Sequence, residues 1–213
     1  MVNFYNTDCI EFMKTKPDKL YDLAIVDPPY GLGVVRGPGG NMTLNKTFNN
    51  CRDKWDVKPT KQYFDELFRV SKNQIIFGGN HFTNNLPESS HWIVWDKKIA
   101  GNRFSNCELL WLSHGVSYNE KDKMSIRKLT HSVGKKYHLT GKPVNLYLDL
   151  IIRYAKNGFN ILDTNGGSAN IAIAKEKSNL LISLDICEID KVYYEQSLIR
   201  YNQFKSQEVL KFI

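Results

Sequence analysis

The stretch Leu23-Ala24-Ile25-Val26-Asp27-Pro28-Pro29-Tyr30-Gly31 sets a carboxylate, two prolines and a phenol ring directly after four apolar residues. A short apolar run bounded by turn formers reads as a buried strand, and two prolines, which fix φ and donate no backbone hydrogen, force the chain out of the sheet there. Asp27 and Tyr30 are therefore expected at a strand's carboxyl end, where open α/β sheets bind ligands. The Asp27 carboxylate and the Pro28 carbonyl can each accept one hydrogen of a planar amino group such as that of adenine. Tyr30 can stack on the ring that carries it. Together they describe a pocket for an extruded nucleobase. The same tetrad also suits a Pro-Pro turn whose Asp caps a loop, so residues elsewhere must decide.

A second constellation lies far along the chain. Phe159-Asn160-Ile161-Leu162-Asp163 reads as a strand, Thr164-Asn165-Gly166-Gly167-Ser168-Ala169 as a turn into a helix, and Leu180 to Ile186 as the next strand. Gly166 and Gly167 let backbone approach a ligand, and Ser168 is expected to open the helix whose amides face it. Glu188, 21 residues beyond Gly167, is placed to accept hydrogen bonds from two ribose hydroxyls. The glycines do not form G-x-G-x-x-G, and no G-x-x-x-x-G-K-[ST] is present, so a nucleoside ligand is better supported than a phosphate. A tight βα turn would leave the same trace. A methyl donor built on adenosine joins the two halves: positioning does most of the work, and no residue must become covalently attached.

Further elements must hold these residues. Val2 to Tyr5 reads as a strand, and Asn6-Thr7-Asp8 as a helix cap before Cys9 to Lys16, which puts Asp8 at a second strand end. Pro59 to Ser71 is helical, with Thr60 as cap and Tyr63, Phe64, Leu67, Phe68 and Val70 on one face. Residues 74–77, 92–95 and 108–112 are three more buried strands. Pro143 opens a helix lined by Val144, Leu146, Tyr147, Leu150, Ile151 and Tyr154 and ended by Gly158, and a final helix runs to about Phe204. About seven strands alternating with helices predict an α/β fold with a mostly parallel sheet and helices on both faces.

Length and composition narrow the classes. The 213 residues suit a single domain, 1–213, and their net charge of +7 suits a polyanionic partner as well as it suits a lysine-rich surface. Two basic stretches without periodicity are candidate nucleic-acid contacts: 31–56 with Arg36, Lys46, Arg52 and Lys54, and 115–137 with Lys121, Lys123, Arg127 and Lys128. A disordered loop and a solvated hairpin are their respective rivals. The four cysteines include no C-x-x-C and the five histidines no H-x-x-x-H, so neither a disulfide nor a metal site is expected. No apolar run approaches the roughly 18 residues of a membrane span, and the start of the chain lacks a signal-peptide pattern, which predicts a cytoplasmic protein.

At this point the residues resemble a family. Asp27-Pro28-Pro29-Tyr30 looks like the catalytic tetrad of S-adenosylmethionine-dependent DNA amino-methyltransferases, and Asp at its head is closer to the adenine-N6 enzymes than to the cytosine-amino enzymes, which more often carry Ser. Asn6-Thr7-Asp8-Cys9 is similar to a Gly-Asp-Cys lead-in. Residues 66–70 before the strand 75–80, Trp92 to Lys97, and Glu108 to Trp111 resemble phage-type members. His138 to Pro143 resembles His-Pro-Thr-Gln-Lys-Pro, Leu162 to Ala169 resembles Leu-Asp-Pro-Phe-x-Gly-Ser-Gly, and Cys187 to Asp190 resembles the acidic motif.

The resemblance implies a Rossmann-like methyltransferase fold with circularly permuted, beta-type motif order. It implies S-adenosylmethionine as cofactor, held by Asp8, Lys142, Asp163, Gly166, Gly167, Ser168 and Glu188, and the base held by Asp27, Pro28, Pro29 and Tyr30. It also implies DNA as partner, read through the basic loops or through a homodimer or other partner. Asn165 stands where Phe is usual, Gly141 where Gln is usual and Ala169 where Gly is usual, changes that would weaken cofactor binding. Two other readings stay open: an amino-methyltransferase acting on RNA adenine or cytosine, and a catalytically silent DNA-binding or partner subunit. A cytosine carbon-5 enzyme is disfavoured because no cysteine follows a proline at a strand end.

Overall fold

The structure, a computed structural model, describes residues 1–32, 57–98, 105–116, 125–132 and 141–210. In chain order the elements are β1 (Val2–Asn6), α1 (Cys9–Lys14), β2 (Tyr21–Val26), α2 (Lys61–Val70), β3 (Ser71–Phe77), a single 3-10 turn (Gly79–His81), β4 (His91–Asp96), β5 (Cys107–Leu112), β6 (Ser125–Thr130), α3 (Val144–Tyr154), β7 (Asn160–Asp163), α4 (Asn170–Ser178), β8 (Ser183–Glu188) and α5 (Lys191–Leu210). The eight strands form one sheet in the order β1-β8-β7-β2-β3-β5-β4-β6. Every adjacent pair is parallel except the two that involve β5, which runs against its neighbours. This is a Rossmann-like α/β architecture.

The central strands are buried at residues 23–26 of β2 and 74–77 of β3 because both faces of the sheet are covered there. Successive residues of β2 alternate between two cores: Leu23 and Ile25 belong to one, Ala24 and Val26 to the other. The first core is closed by Leu146, Leu150 and Ile151 of α3 and Ile171, Ala172 and Ala174 of α4. The second is closed by Phe12 and Met13 of α1 and Tyr63, Phe64, Leu67 and Val70 of α2. Each fully buried Leu or Ile stabilises by about 1.5–3 kcal/mol, so the central strands are rigid and the chain ends that leave them are held in place.

Several expectations are corrected. An eighth strand, β6, lies inside the stretch 115–137. It was not legible because, of the residues 126–130 of the strand, only Leu129 is buried. Strand β8 is Ser183–Glu188, shifted towards the C-terminus from the expected Leu180 to Ile186, and Glu188 is its last residue, at the strand end where it was expected. Helix α4 begins at Asn170, and Ser168 sits in the preceding turn, where Ala169 N donates to Gly166 O at 3.0 Å. Helix α3 ends at Tyr154, before Gly158 is reached. At α2 the Thr60 side chain makes no cap bond; its backbone carbonyl accepts from Tyr63 N at 3.1 Å.

Candidate active site

The parallel strands deliver their carboxyl ends to one edge. There lie Asp8 just after β1, Asp27 to Tyr30 after β2, the Gly78 to His81 turn after β3, the Asn165 to Ala169 turn after β7, and Glu188 at the end of β8. Because β5 alone is reversed, its first residues, Cys107 and Glu108, reach that edge as well, opposite Asp96 and Trp95. Helix α4, which follows β7, covers one face, and α2, which follows β2, covers the other, so the neighbouring strands β7 and β2 diverge into opposite layers. A crevice opens at such a switch point.

Asp27 is held on both carboxylate oxygens. Oδ1 accepts from the Tyr30 hydroxyl at 2.9 Å, and Oδ2 lies 2.9 Å from the Lys142 ammonium. Lys142 is 4% exposed and also reaches Glu108 Oε2 at 3.2 Å, while Glu108 Oε1 takes Lys97 at 2.8 Å. The four charges form an alternating chain, Asp27, Lys142, Glu108, Lys97, in which no acid lacks a cation. Burial pushes the Asp27 carboxyl above its ordinary range, against Lys142, with Glu108 adding to the rise. Burial acts the same way on Glu108, but Lys142 and Lys97 outweigh it and hold its carboxyl below the usual range. Burial disfavours the Lys142 ammonium, yet Asp27 and Glu108 together keep it charged.

Tyr30 packs against the 78–81 turn. Its ring stacks on His81, centroids 4.9 Å apart at 22°, and Gly78 lies against it with φ 64°. A Cβ on Gly78 would come within 2.4 Å of the Tyr30 ring, so both the left-handed backbone and the close approach require glycine. Burial, with Lys58 near, lowers the His81 pKa below its ordinary value, so its ring is largely uncharged at neutral pH.

The other half of the edge is built from backbone contacts. Glu188 Oε2 accepts from Gly167 N at 2.8 Å and Oε1 from Asp190 N at 2.9 Å, which fixes the carboxylate over the glycine turn. Gly166 packs on β8 so closely that a Cβ would lie 2.3 Å from Ile186 Cγ2. Asp163 is 1% exposed and accepts from Asn165 N at 3.0 Å; burial pushes its carboxyl up to about 8. Asp8 Oδ1 caps α1, accepting from Ile10 N at 2.8 Å and Glu11 N at 3.1 Å. The Ser168 carbonyl accepts from Arg200 Nη1. Ala169 has φ 59°, the region that favours glycine, which is a physical reason for the glycine usual at this place in the resembled motif.

Most of the residues expected from sequence thus meet at one edge. Asp27 and Glu188 stand on strands two apart in the sheet, about 10 Å at ordinary strand spacing. Lys142 was expected in the cofactor half, but its ammonium is on Asp27; its carbonyl accepts from Asn170 Nδ2 at 2.6 Å, which ties it to α4. Glu108, Lys97 and His81 were not expected. A charged residue at each end of an apolar strand was the available signal for the first two. Of the nucleic-acid candidates, Arg127 and Lys128 lie on the edge strand β6, where Lys128 pairs with Asp96 at 2.7 Å. Arg36, Lys46, Arg52, Lys54, Lys121 and Lys123 lie outside the described residues. Among the described residues no group of three or more His, Cys, Asp or Glu could hold a metal ion, and no helix is long and apolar enough to cross a membrane.

No protein-family model matches the chain. It is 25% identical to the Type II methyltransferase M.HinfI of Haemophilus influenzae over 86% of its own length and 65% of that protein's. It is 34% identical to the Type II methyltransferase M.BamHI of Bacillus amyloliquefaciens over 39% of its length and 17% of that protein's. The chain therefore spans less than two thirds of either relative. Among solved structures it resembles an M1.HpyAVI-SAM complex, with a TM-score of 0.62 at 16% identity, covering 94% of this chain and all of that one. It also resembles PvuII DNA methyltransferase, described as cytosine-N4-specific, with a TM-score of 0.60 at 11% identity, covering 96% and 90%. These likenesses show the Rossmann-like fold.

Proposed function

We propose that the chain is a DNA methyltransferase that uses S-adenosylmethionine and acts on the exocyclic amino group of adenine. The observation that carries the reading is the arrangement of the edge: an Asp-Pro-Pro-Tyr tip whose acid and phenol are joined, one strand from a glycine turn and two from the acid that clamps it. Type II methyltransferase relatives support the same reaction class. Asp at the head of the tetrad supports adenine over cytosine, and the early position of the tetrad relative to the glycine turn supports the beta-type order.

The residues present fit the cofactor. Glu188 retains an acceptor position on each oxygen beside its backbone bond, enough for a ribose diol. Gly166 and Gly167 put no side chain in the way of a ligand, and the buried Asn170 Oδ1 has no hydrogen-bond partner among the described residues. Asp8, Asp163, Ser168 and Glu188 would line this half. S-adenosylmethionine, when bound, supplies an electrophilic methyl group on a sulfonium centre.

The chain's own residues do the rest. Tyr30 offers its ring to an extruded base, at a cost of a few kcal/mol of lost stacking in the duplex that the pocket must recover. Asp27 and the Pro28 carbonyl accept the two amino hydrogens, which leaves the nitrogen lone pair less drawn into the ring and aims it across the crevice. Asp27 then stands ready to receive a proton once that nitrogen carries its fourth bond. Arg127 and Lys128 are the described candidates for phosphate contacts.

The test is nucleoside mass spectrometry of DNA from a host expressing the protein, with Asp27→Ala beside it. N6-methyladenine is expected with the wild type. Asp27→Ala should lose at least about a thousand-fold of the transfer rate, as loss of a group acting in the transition state does, with S-adenosylmethionine binding nearly intact. N4-methylcytosine, methylation confined to RNA, or full activity in Asp27→Ala would each overturn this assignment.

A further inference from the structure

Both donors that hold Asp27 have a second acceptor within reach, and it is the same one. The Lys142 ammonium is 2.9 Å from Asp27 Oδ2 and 3.2 Å from Glu108 Oε2; the Tyr30 hydroxyl is 2.9 Å from Asp27 Oδ1 and 3.5 Å from Glu108 Oε2. Glu108 is itself held still by Lys97 at 2.8 Å, which comes from the end of β4. We propose that Glu108 is a positioning residue: it takes over Lys142 and Tyr30 when a substrate amino group enters, so that Asp27 is released to accept from that group.

This rests on the methyl-transfer reading above. A carboxylate already filled by an ammonium and a hydroxyl is a poor acceptor for a third, weaker donor. Displacing either from Asp27 without another partner would strand a buried donor, a penalty the incoming amino group could not recover. Glu108 removes that penalty because each displaced donor moves between two oxygens that face the same space. Among the described residues the groups around Asp27 are Tyr30 on its own segment, Lys142 before α3, Glu108 on β5, Tyr147 on α3, Asp163 on β7 and Tyr63 on α2. Of these, only Glu108 is an acid that shares Asp27's donors. Its negative charge also opposes ionisation of Asp27, so neutralising it lowers the Asp27 pKa, and so does the undivided Lys142 that remains.

The experiment uses the full chain and two variants. Glu108→Gln is expected to lower kcat about 30-fold, the range for one hydrogen bond to a charged group, with little change in KM for DNA. It should also move the acid limb of the kcat profile to lower pH. Glu108→Asp keeps the charge and should recover most of kcat. Independently of turnover, the Asp27 side-chain carboxyl is followed by carbon-13 NMR, its signal assigned with Asp27→Asn. Its titration midpoint is expected lower in Glu108→Gln than in wild type and close to wild type in Glu108→Asp. A wild-type kcat together with an unmoved Asp27 midpoint in Glu108→Gln overturns the proposal. Should that variant not fold, an Asp27 midpoint in Glu108→Asp that departs from wild type by as much as that of a Lys142→Met control does the same. A wild type that methylates no nucleic acid overturns the reaction assigned above, while the carboxyl titration still reports whether Glu108 governs Asp27.

Discussion

The two halves of the sheet's carboxyl edge are built by different means. Around Asp27 the contacts are between charged side chains drawn from four separate segments, Asp27, Lys97, Glu108 and Lys142, with Lys142 almost fully buried. Around Glu188 they are between one carboxylate and two backbone amides, in a turn whose shape is set by glycine. The first half can exchange partners, because an ammonium between two acids has more than one low-energy seat. The second half is held by backbone hydrogen bonds and by the close packing of Gly166, and it offers a fixed surface with the remaining acceptor positions of Glu188. That division suits a reaction in which one partner must be activated and the other merely held.

The largest effect is expected at Lys142. Lys142→Met leaves Asp27 without a cation in a buried place, and stability should fall by about 3–5 kcal/mol in urea unfolding. The deficit should shrink as the pH falls and the stranded carboxyl takes up a proton. A loss under about 1 kcal/mol would mean that the charges around Asp27 are solvated and that the two halves do not differ as described.

A second test concerns Asp163, on the strand between the halves. Its folded-state carboxyl is pushed up to about 8 from an ordinary 3.8, so the folded chain holds a proton that the unfolded chain has lost between those values. Stability from this group is fully present below the ordinary pKa and is lost as the pH rises towards about 8, at up to about 1.4 kcal/mol per pH unit. Asp163→Asn, which keeps an acceptor for Asn165 N, should flatten that part of the profile; urea midpoints at mildly acid and mildly alkaline pH measure it. Parallel profiles for the two proteins would show that Asp163 is ionised in the folded state.

The smallest effect is expected at Gly166. Gly166→Ala forces a Cβ onto Ile186, and overpacking of this kind costs about 1–3 kcal/mol. The displaced turn should weaken S-adenosylmethionine binding measured by calorimetry while leaving the ion pairs around Asp27 unchanged. Unaltered cofactor affinity would separate the glycine turn from cofactor binding.

Local signals carried a good part of the site. Asp27 was legible because a short apolar run followed by Pro28 and Pro29 reads as a strand that stops, and Glu188 because an acid at the end of the strand that follows a glycine turn and a helix arrives near that turn. Strand β6 was not legible, since an edge strand with little buried surface needs few apolar residues. Glu108 could not be placed either: its position depends on β5 running against its neighbours, and strand direction leaves no mark on composition.

Residue order alone marks which segments end in chemistry: the carboxylate before two prolines, the paired glycines, and the apolar periods that make the surrounding strands and helices. Local backbone preference and burial are enough for that. It takes the folded arrangement to bring Lys142, 115 positions from Asp27, into an ion pair with it, and to set Glu108 within reach of both donors to Asp27. Those distances are set by sheet order and strand polarity, which arise from packing of the whole chain and not from any one stretch of it.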